Sequence, residues 1–168
     1  YFGAQSQGKY LGDYLHDAYK PEMPIFHLVG GMDIEADKNL PVVNVQCHLP
    51  VSLQEWIERD GLFCYKVKLT GGDIDWDVER TAQVAEVIDE MREHIGGDEF
   101  YLSTDSNEMN ESPETVVEYL HKLQEASPMA YDALLYLEQP TEPYLNVHRF
   151  DMSEVAALKP VVVDEGVT

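Results

Sequence analysis

From about residue 60 onward the apolar positions keep one rhythm: a short run, a charged residue at its end, a polar turn, then a stretch with helical spacing. The runs Cys64 to Leu69, Phe100 to Thr104, Leu134 to Leu137 and Pro160 to Val163 read as strands. Their starts lie 36, 34 and 26 residues apart, which leaves room for one helix in each gap. In the first gap, Asp75 to Arg92 places Val78, Ala82, Ala85, Ile88 and Met91 on one stripe. The second gap predicts a helix with Ser112 as N-cap and Pro113 at the first helical position, burying Val116, Leu120 and Leu123. A third is predicted from Asp151, where Glu154 completes a capping box ahead of Val155, Ala156 and Leu158. Strands alternating with amphipathic helices predict a parallel sheet in an α/β fold.

The first sixty residues are less regular. Tyr10, Leu11, Tyr14, Leu15 and Ala18 predict a helix within residues 1–24, outside the repeat. His27 to Gly31 and Val42 to Leu49 are both strand-like, and either can precede a short helix around Ser52 to Arg59. The chain begins at Tyr1 without Met and stops at Thr168 just past an apolar run, so residues are expected to be missing at both ends.

Composition narrows the class. With 168 residues and 44% hydrophobic content the chain can bury a core of its own. The 32 acidic residues against 11 basic, net −21, repel phosphates over most of the surface, which argues against nucleic acid or an anionic membrane as partner. The same acidity also suits a solvated shell or a high-salt habitat. Cys47 and Cys64 are too few for a disulfide framework and show no CxxC spacing, so a reducing cytoplasm is expected. The sequence shows no run of eighteen or more apolar residues and no basic start followed by an apolar stretch of the kind that marks a signal peptide.

Three acids follow the later apolar runs: Asp105 after FYLST, Glu138 after LLYL and Asp164 after PVVV. In a parallel sheet these ends share one edge, the edge where α/β enzymes place their sites, so acids far apart in sequence can converge. Three oxygen donors on rigid strands suit Mg²⁺. A single such acid is more simply a helix cap or a surface ion-pair partner; three in a row repel one another unless a cation is shared. In the strand before them, Lys66 and Lys68 are two apart and point to one side. They read either as a base beside the metal, with Lys68 nearer the strand end, or as gatekeepers of an exposed edge strand.

Taken in order, the KxK strand (Lys66, Lys68), the D-x-N end (Asp105, Asn107), the E-Q-P end (Glu138, Gln139, Pro140) and the D-E end (Asp164, Glu165) resemble the enolase superfamily, in its mandelate racemase and muconate-lactonizing branches. The resemblance covers roughly residues 60 to 168. It implies the first five or so strands of a (β/α) TIM-type barrel over 27–168, preceded at 1–26 by the tail of an α+β capping domain. It also implies that Asp105, Glu138 and Asp164 bind Mg²⁺, that Lys68 is an acid/base, and that Lys66 lies near the carboxylates and helps to hold the substrate carboxylate or the pKa of Lys68. Asn107 and Glu165 would meet the substrate or support the metal ligands. The Asp-Glu pair on the third metal strand looks more like the muconate-lactonizing branch, while Gly166 replaces the commoner Ser.

The activity so implied is Mg²⁺-dependent removal of the proton alpha to a small carboxylate, through a metal-stabilised enediolate, by a homo-oligomeric isomerase, cycloisomerase or racemase. An acid-sugar dehydratase is the alternative, and His27, His48 and Asn44 could then line a polar pocket. The second acid/base of such a barrel belongs on later strands. From another class, a non-catalytic cation-binding domain would account for the acids alone. A nucleotide-binding sheet using Gly30-Gly31 or Gly71-Gly72 is disfavoured, because no GxGxxG or P-loop pattern accompanies them.

Overall fold

A computed structural model describes residues 23–30, 50–95, 97, 99–144 and 146–166. The predicted N-terminal helix, the run Val42 to Leu49, and Asn44, Cys47 and His48 lie outside the described residues. Within them the order is β1 (His27–Val29), α1 (Leu53–Asp60), β2 (Cys64–Lys68), α2 (Ile74–Ile95), β3 (Tyr101–Asp105), α3 (Pro113–Ala126), α4 (Pro128–Ala133), β4 (Leu134–Glu138), α5 (Ser153–Leu158) and β5 (Val161–Val162). The strands form one sheet in the sequential order β1-β2-β3-β4-β5, every neighbouring pair parallel. Sequential parallel strands require each crossover to run in the same direction. With right-handed crossovers, that puts all the helices on one face, as in the first part of a (β/α) barrel.

Local signals start and stop these elements. Ser52 Oγ accepts the Glu55 N–H at 3.2 Å while Glu55 Oε2 accepts the Ser52 N–H at 3.3 Å, and Gly61, at φ 61°, ends α1. The stripe on α2 is buried at Val78, Ala85, Ile88 and Met91, with Val84 added and Ala82 only half-buried. On α3, Val116, Leu120 and Leu123 are all buried behind Pro113.

Two helical expectations are corrected. α5 begins at Ser153, because the Asp151 carboxylate captures both the N–H and the O–H of Ser153 instead of closing a box with Glu154. A further helix, α4, stands before β4; its six residues are too few to show a periodic stripe, and its signal is Ser127, whose Oγ accepts the Ala130 N–H, followed by Pro128. Strand limits also move: Leu69 leaves β2, Asp105 and Glu138 join β3 and β4, and β5 shortens to two residues.

Alternation along the strands divides the sheet. Val29, Tyr65, Val67, Leu102 and Leu137 face the helices and are almost wholly buried. Each such side chain contributes about 1.5–3 kcal/mol on burial. The intervening positions put Leu28, Lys66, Lys68, Ser103, Asp105, Tyr136 and Glu138 on the other face, by register. That face carries the charge.

Candidate active site at the strand ends

Register gathers the charged residues. Lys66 pairs with Ser103, and Lys68 with Asp105, which in turn pairs with Glu138; the last row lies at the C-terminal edge of β2, β3 and β4. Lys66 reaches upward from the row below. Its Nζ stands 2.9 Å from Asp105 Oδ2 and 2.5 Å from Glu138 Oε1, so one ammonium is shared by two carboxylates. Lys68 Nζ also donates to Asp105 Oδ2, and to Asn107 Oδ1 at 3.2 Å. The Asn107 N–H donates to Asp105 Oδ1 at 2.8 Å, so both oxygens of this buried aspartate are engaged.

The electrostatics follow from these contacts. Burial alone would lower the Lys66 pKa, but hydrogen bonds to Glu138 and Asp105 outweigh it and hold the ammonium above its ordinary value. Burial likewise pushes Asp105 up, and the hydrogen bonds from Lys68 and Lys66 more than reverse this. Glu108, which sequence reasoning passed over, sits beside them. Burial, then the charge of and hydrogen bond with Glu165, raise its carboxyl above the usual range. Asn107 and Glu108 have φ of 50° and 59°, so the turn after β3 passes through two left-handed residues. An Asn beside an acid at a strand end was the available signal.

The loops at this edge are laced together. The Asp77 carboxylate, buried on α2, accepts the N–H groups of Thr70 at 2.7 Å and Gly71 at 2.8 Å. Asn110 Nδ2 donates to Gly71 O at 3.3 Å, Ser106 Oγ donates to Asn110 Oδ1 at 2.6 Å, and the Asn110 N–H donates to Pro140 O at 3.1 Å. Gln139 continues the chain to β5: Nε2 donates to Thr141 O at 3.0 Å, and Oε1 accepts the N–H groups of Asp164 and Gly166, each at 3.3 Å. Asp77, Ser106 and Asn110 were not singled out from the sequence, because burial of a polar side chain leaves no periodic trace.

The structure therefore brings Lys66, Lys68, Asp105, Asn107 and Glu138 into one cluster. Asp164 and Glu165 occupy the adjoining end of β5, where both are exposed. Among the described residues no group of three His, Cys, Asp or Glu side chains is close enough together to hold a metal. The donors suit Mg²⁺ in kind, since Asp105 and Glu138 are hard oxygen ligands on rigid strands that already converge on one cationic atom. Asp164, the third acid expected from the sequence, stands exposed just past the end of the neighbouring strand.

No protein-family model matches the chain, and no curated protein matches it. Solved structures do. A racemase from Streptomyces coelicolor A3(2) with bound magnesium is 24% identical, with a TM-score of 0.50 over 89% of this chain and 36% of that one. A muconate lactonizing enzyme from Klebsiella pneumoniae is 17% identical, with a TM-score of 0.40 over 61% of this chain and 25% of that one. The fold shared with the racemase is a parallel α/β fold in keeping with part of a (β/α) barrel, and this chain spans about a third of that chain's length.

Proposed function

We propose that this chain carries the metal-binding and proton-abstracting part of an enolase-type site acting on a small carboxylate. The observation that supports this most is the pair of lysines on one strand face set against Asp105 and Glu138 at the C-terminal edge of a parallel sheet. A proton on carbon next to a carboxylate is too weakly acidic for an ordinary base at neutral pH. Mg²⁺ held by Asp105, Glu138 and Asp164 would neutralise the charge that develops on the substrate carboxylate as that proton leaves. Lys68 would give up its ammonium proton to solvent once a divalent cation takes its place at Asp105, and the neutral amine would then accept the α-proton. Lys66, held protonated between two carboxylates, supplies a fixed positive charge that attracts and orients the substrate carboxylate. Asn107 holds Lys68 and Asp105 in place through its side-chain oxygen and its N–H.

Racemisation, epimerisation or cycloisomerisation is the outcome favoured, with dehydration of an acid sugar as the alternative; the fate of the intermediate depends on a second acid/base placed on later strands. The magnesium-bound racemase of the same fold is in keeping with this chemistry. To test it, the protein is incubated with Mg²⁺ and a panel of α-substituted carboxylates in D₂O, and α-proton exchange is followed by NMR. Exchange that disappears in Lys68→Met and Asp105→Asn supports the proposal. Exchange unchanged in both variants would sink it.

One observation favours a second reading. The two ammonium groups and two carboxylates of the cluster balance in charge. A non-catalytic cluster that only fastens three strand ends, or takes up a cation for stability, would need no more than this. It predicts loss of stability in Lys68→Met with no exchange to lose in the wild type.

A further inference from the structure

We infer that Gln139 is the positioning residue for the third acid of the site, fixing the segment Asp164 to Gly166 through its side-chain amide. This deepens the proposed function and rests on its assignment of Asp164 as a metal ligand. Gln139 directly follows Glu138 on β4, is buried, and has a φ of 30°, a left-handed conformation that a non-glycine residue adopts at a cost. Strain at a buried polar residue persists where its contacts require it. Here the main-chain N–H of Gln139 donates to Val162 O at 2.8 Å, continuing the β4–β5 ladder, while the turned backbone sends the side chain along the strand ends. Its Oε1 then accepts two amides of the neighbouring loop, from Asp164 and Gly166, and its Nε2 donates to Thr141 O.

The pairing is matched on the β5 side. A Cβ at Gly166 would lie 3.1 Å from Gln139 Oε1 and 3.2 Å from Val163 Cγ1, so glycine permits the close approach of the amide oxygen. That approach gives a role to Gly166 in place of the commoner Ser. Asp164 itself is exposed, and β5 is only two residues long, so the ladder does little to fix the residues beyond its end. The Gln139 amide supplies the constraint that the strand lacks. Because Gln139 is joined to Glu138, it couples the placement of one proposed ligand to that of the next.

The test uses the intact protein, with Mg²⁺ affinity measured by calorimetry and amide exchange at Asp164 and Gly166 measured by mass spectrometry. Gln139→Met, nearly isosteric but unable to accept or donate, is expected to speed exchange at those two amides and to weaken Mg²⁺ binding about ten- to a hundredfold. Gln139→Glu keeps an accepting oxygen for both amides and is expected to keep their protection, which also covers the case in which the Met variant fails to fold. A merely structural staple would lower the melting temperature and leave Mg²⁺ affinity at the wild-type value. Wild-type exchange and affinity in Gln139→Met, or lost protection in Gln139→Glu, would overturn the inference. Asp164→Asn is the separate control: if it leaves Mg²⁺ affinity unchanged, the assignment of Asp164 as a ligand fails, whatever Gln139 does to the loop.

Discussion

Replacing Lys66 by Met removes the ammonium shared by Asp105 and Glu138 while keeping an unbranched side chain only one atom shorter. In the wild type that nitrogen lies 2.9 Å from one carboxylate and 2.5 Å from the other, with the Lys66, Asp105 and Glu138 side chains 22%, 6% and 16% exposed. Removing one partner of a fully buried ion pair costs about 3–5 kcal/mol. Partial exposure, and the contact of Lys68 with Asp105 that survives, reduce this to about 1–3 kcal/mol. In urea the unfolding midpoint should fall by about 1 M, given a slope of about 2 kcal/mol per M.

The pH dependence of that variant has a sign. Asp105 is depressed in the folded state, so it contributes stability above its unfolded value of 3.8 that is lost as pH falls through the lower folded value. Without Lys66 the depression is smaller, so less stability is lost on acidification and the loss is complete at a higher pH. Lys66 is raised in the folded state; its contribution is complete below 10.5 and is lost as pH rises through the folded value, a limb absent from the variant. Mg²⁺ should restore stability to Lys66→Met, by about 2.7 kcal/mol at a hundred times its Kd, because a cation again neutralises the two acids. A variant as stable as the wild type in urea from pH 4 to 10, and indifferent to Mg²⁺, would refute the argument.

Gly71→Ala should lower the melting temperature by several degrees, since the new Cβ would lie 2.8 Å from the Met109 carbonyl carbon at a φ of 69°. Asp77→Asn should cost about 1–3 kcal/mol in chemical unfolding, because an NH₂ group would face an N–H that the carboxylate now accepts. Burial raises the Asp77 pKa despite its bonds to Thr70 and Gly71, so the wild type should gain stability as pH falls through the folded value toward 3.8, and Asp77→Asn should lack that gain. Ser103→Ala should be neutral or stabilising by up to about 1 kcal/mol, since the buried Ser103 hydroxyl has no hydrogen-bond partner among the described residues; urea unfolding checks it.

Legibility in the sequence was confined to features that repeat. Strand and helix stripes are periodic, so the parallel α/β order and four of the strands could be read to within a residue or two. The choice of first strand could not, because His27 to Gly31 and Val42 to Leu49 carry equal β-forming character; His27–Val29 pairs in the sheet beside β2, and the other run lies outside the described residues. The lysines and acids were visible because a charge two residues from another on an otherwise apolar strand breaks the pattern. Gln139 and Asp77 were not visible as structural groups. Each acts by satisfying main-chain donors of a loop distant in sequence, and nothing in local spacing encodes that.

The charge of the whole chain and the charge of the cluster oppose one another, and distance decides which governs a ligand. A net charge of −21 repels a carboxylate approaching from afar. At physiological ionic strength, however, exposed charges are screened over about 8 Å, so acids elsewhere on the surface contribute little at the strand ends. Within that range the two lysines stand with Asp105 and Glu138, where burial weakens screening and one nitrogen is within hydrogen-bonding distance of two carboxylates. The local sum is therefore near zero and is set by groups on three strands that cannot drift apart without breaking the ladder. Counting Asp164 as the third ligand makes the sum negative by one, and a divalent cation turns it positive by one. An arrangement anionic without metal and cationic with it would bind an anionic substrate only after the metal, and raising the salt concentration should speed substrate association while changing the metal-loaded affinity far less.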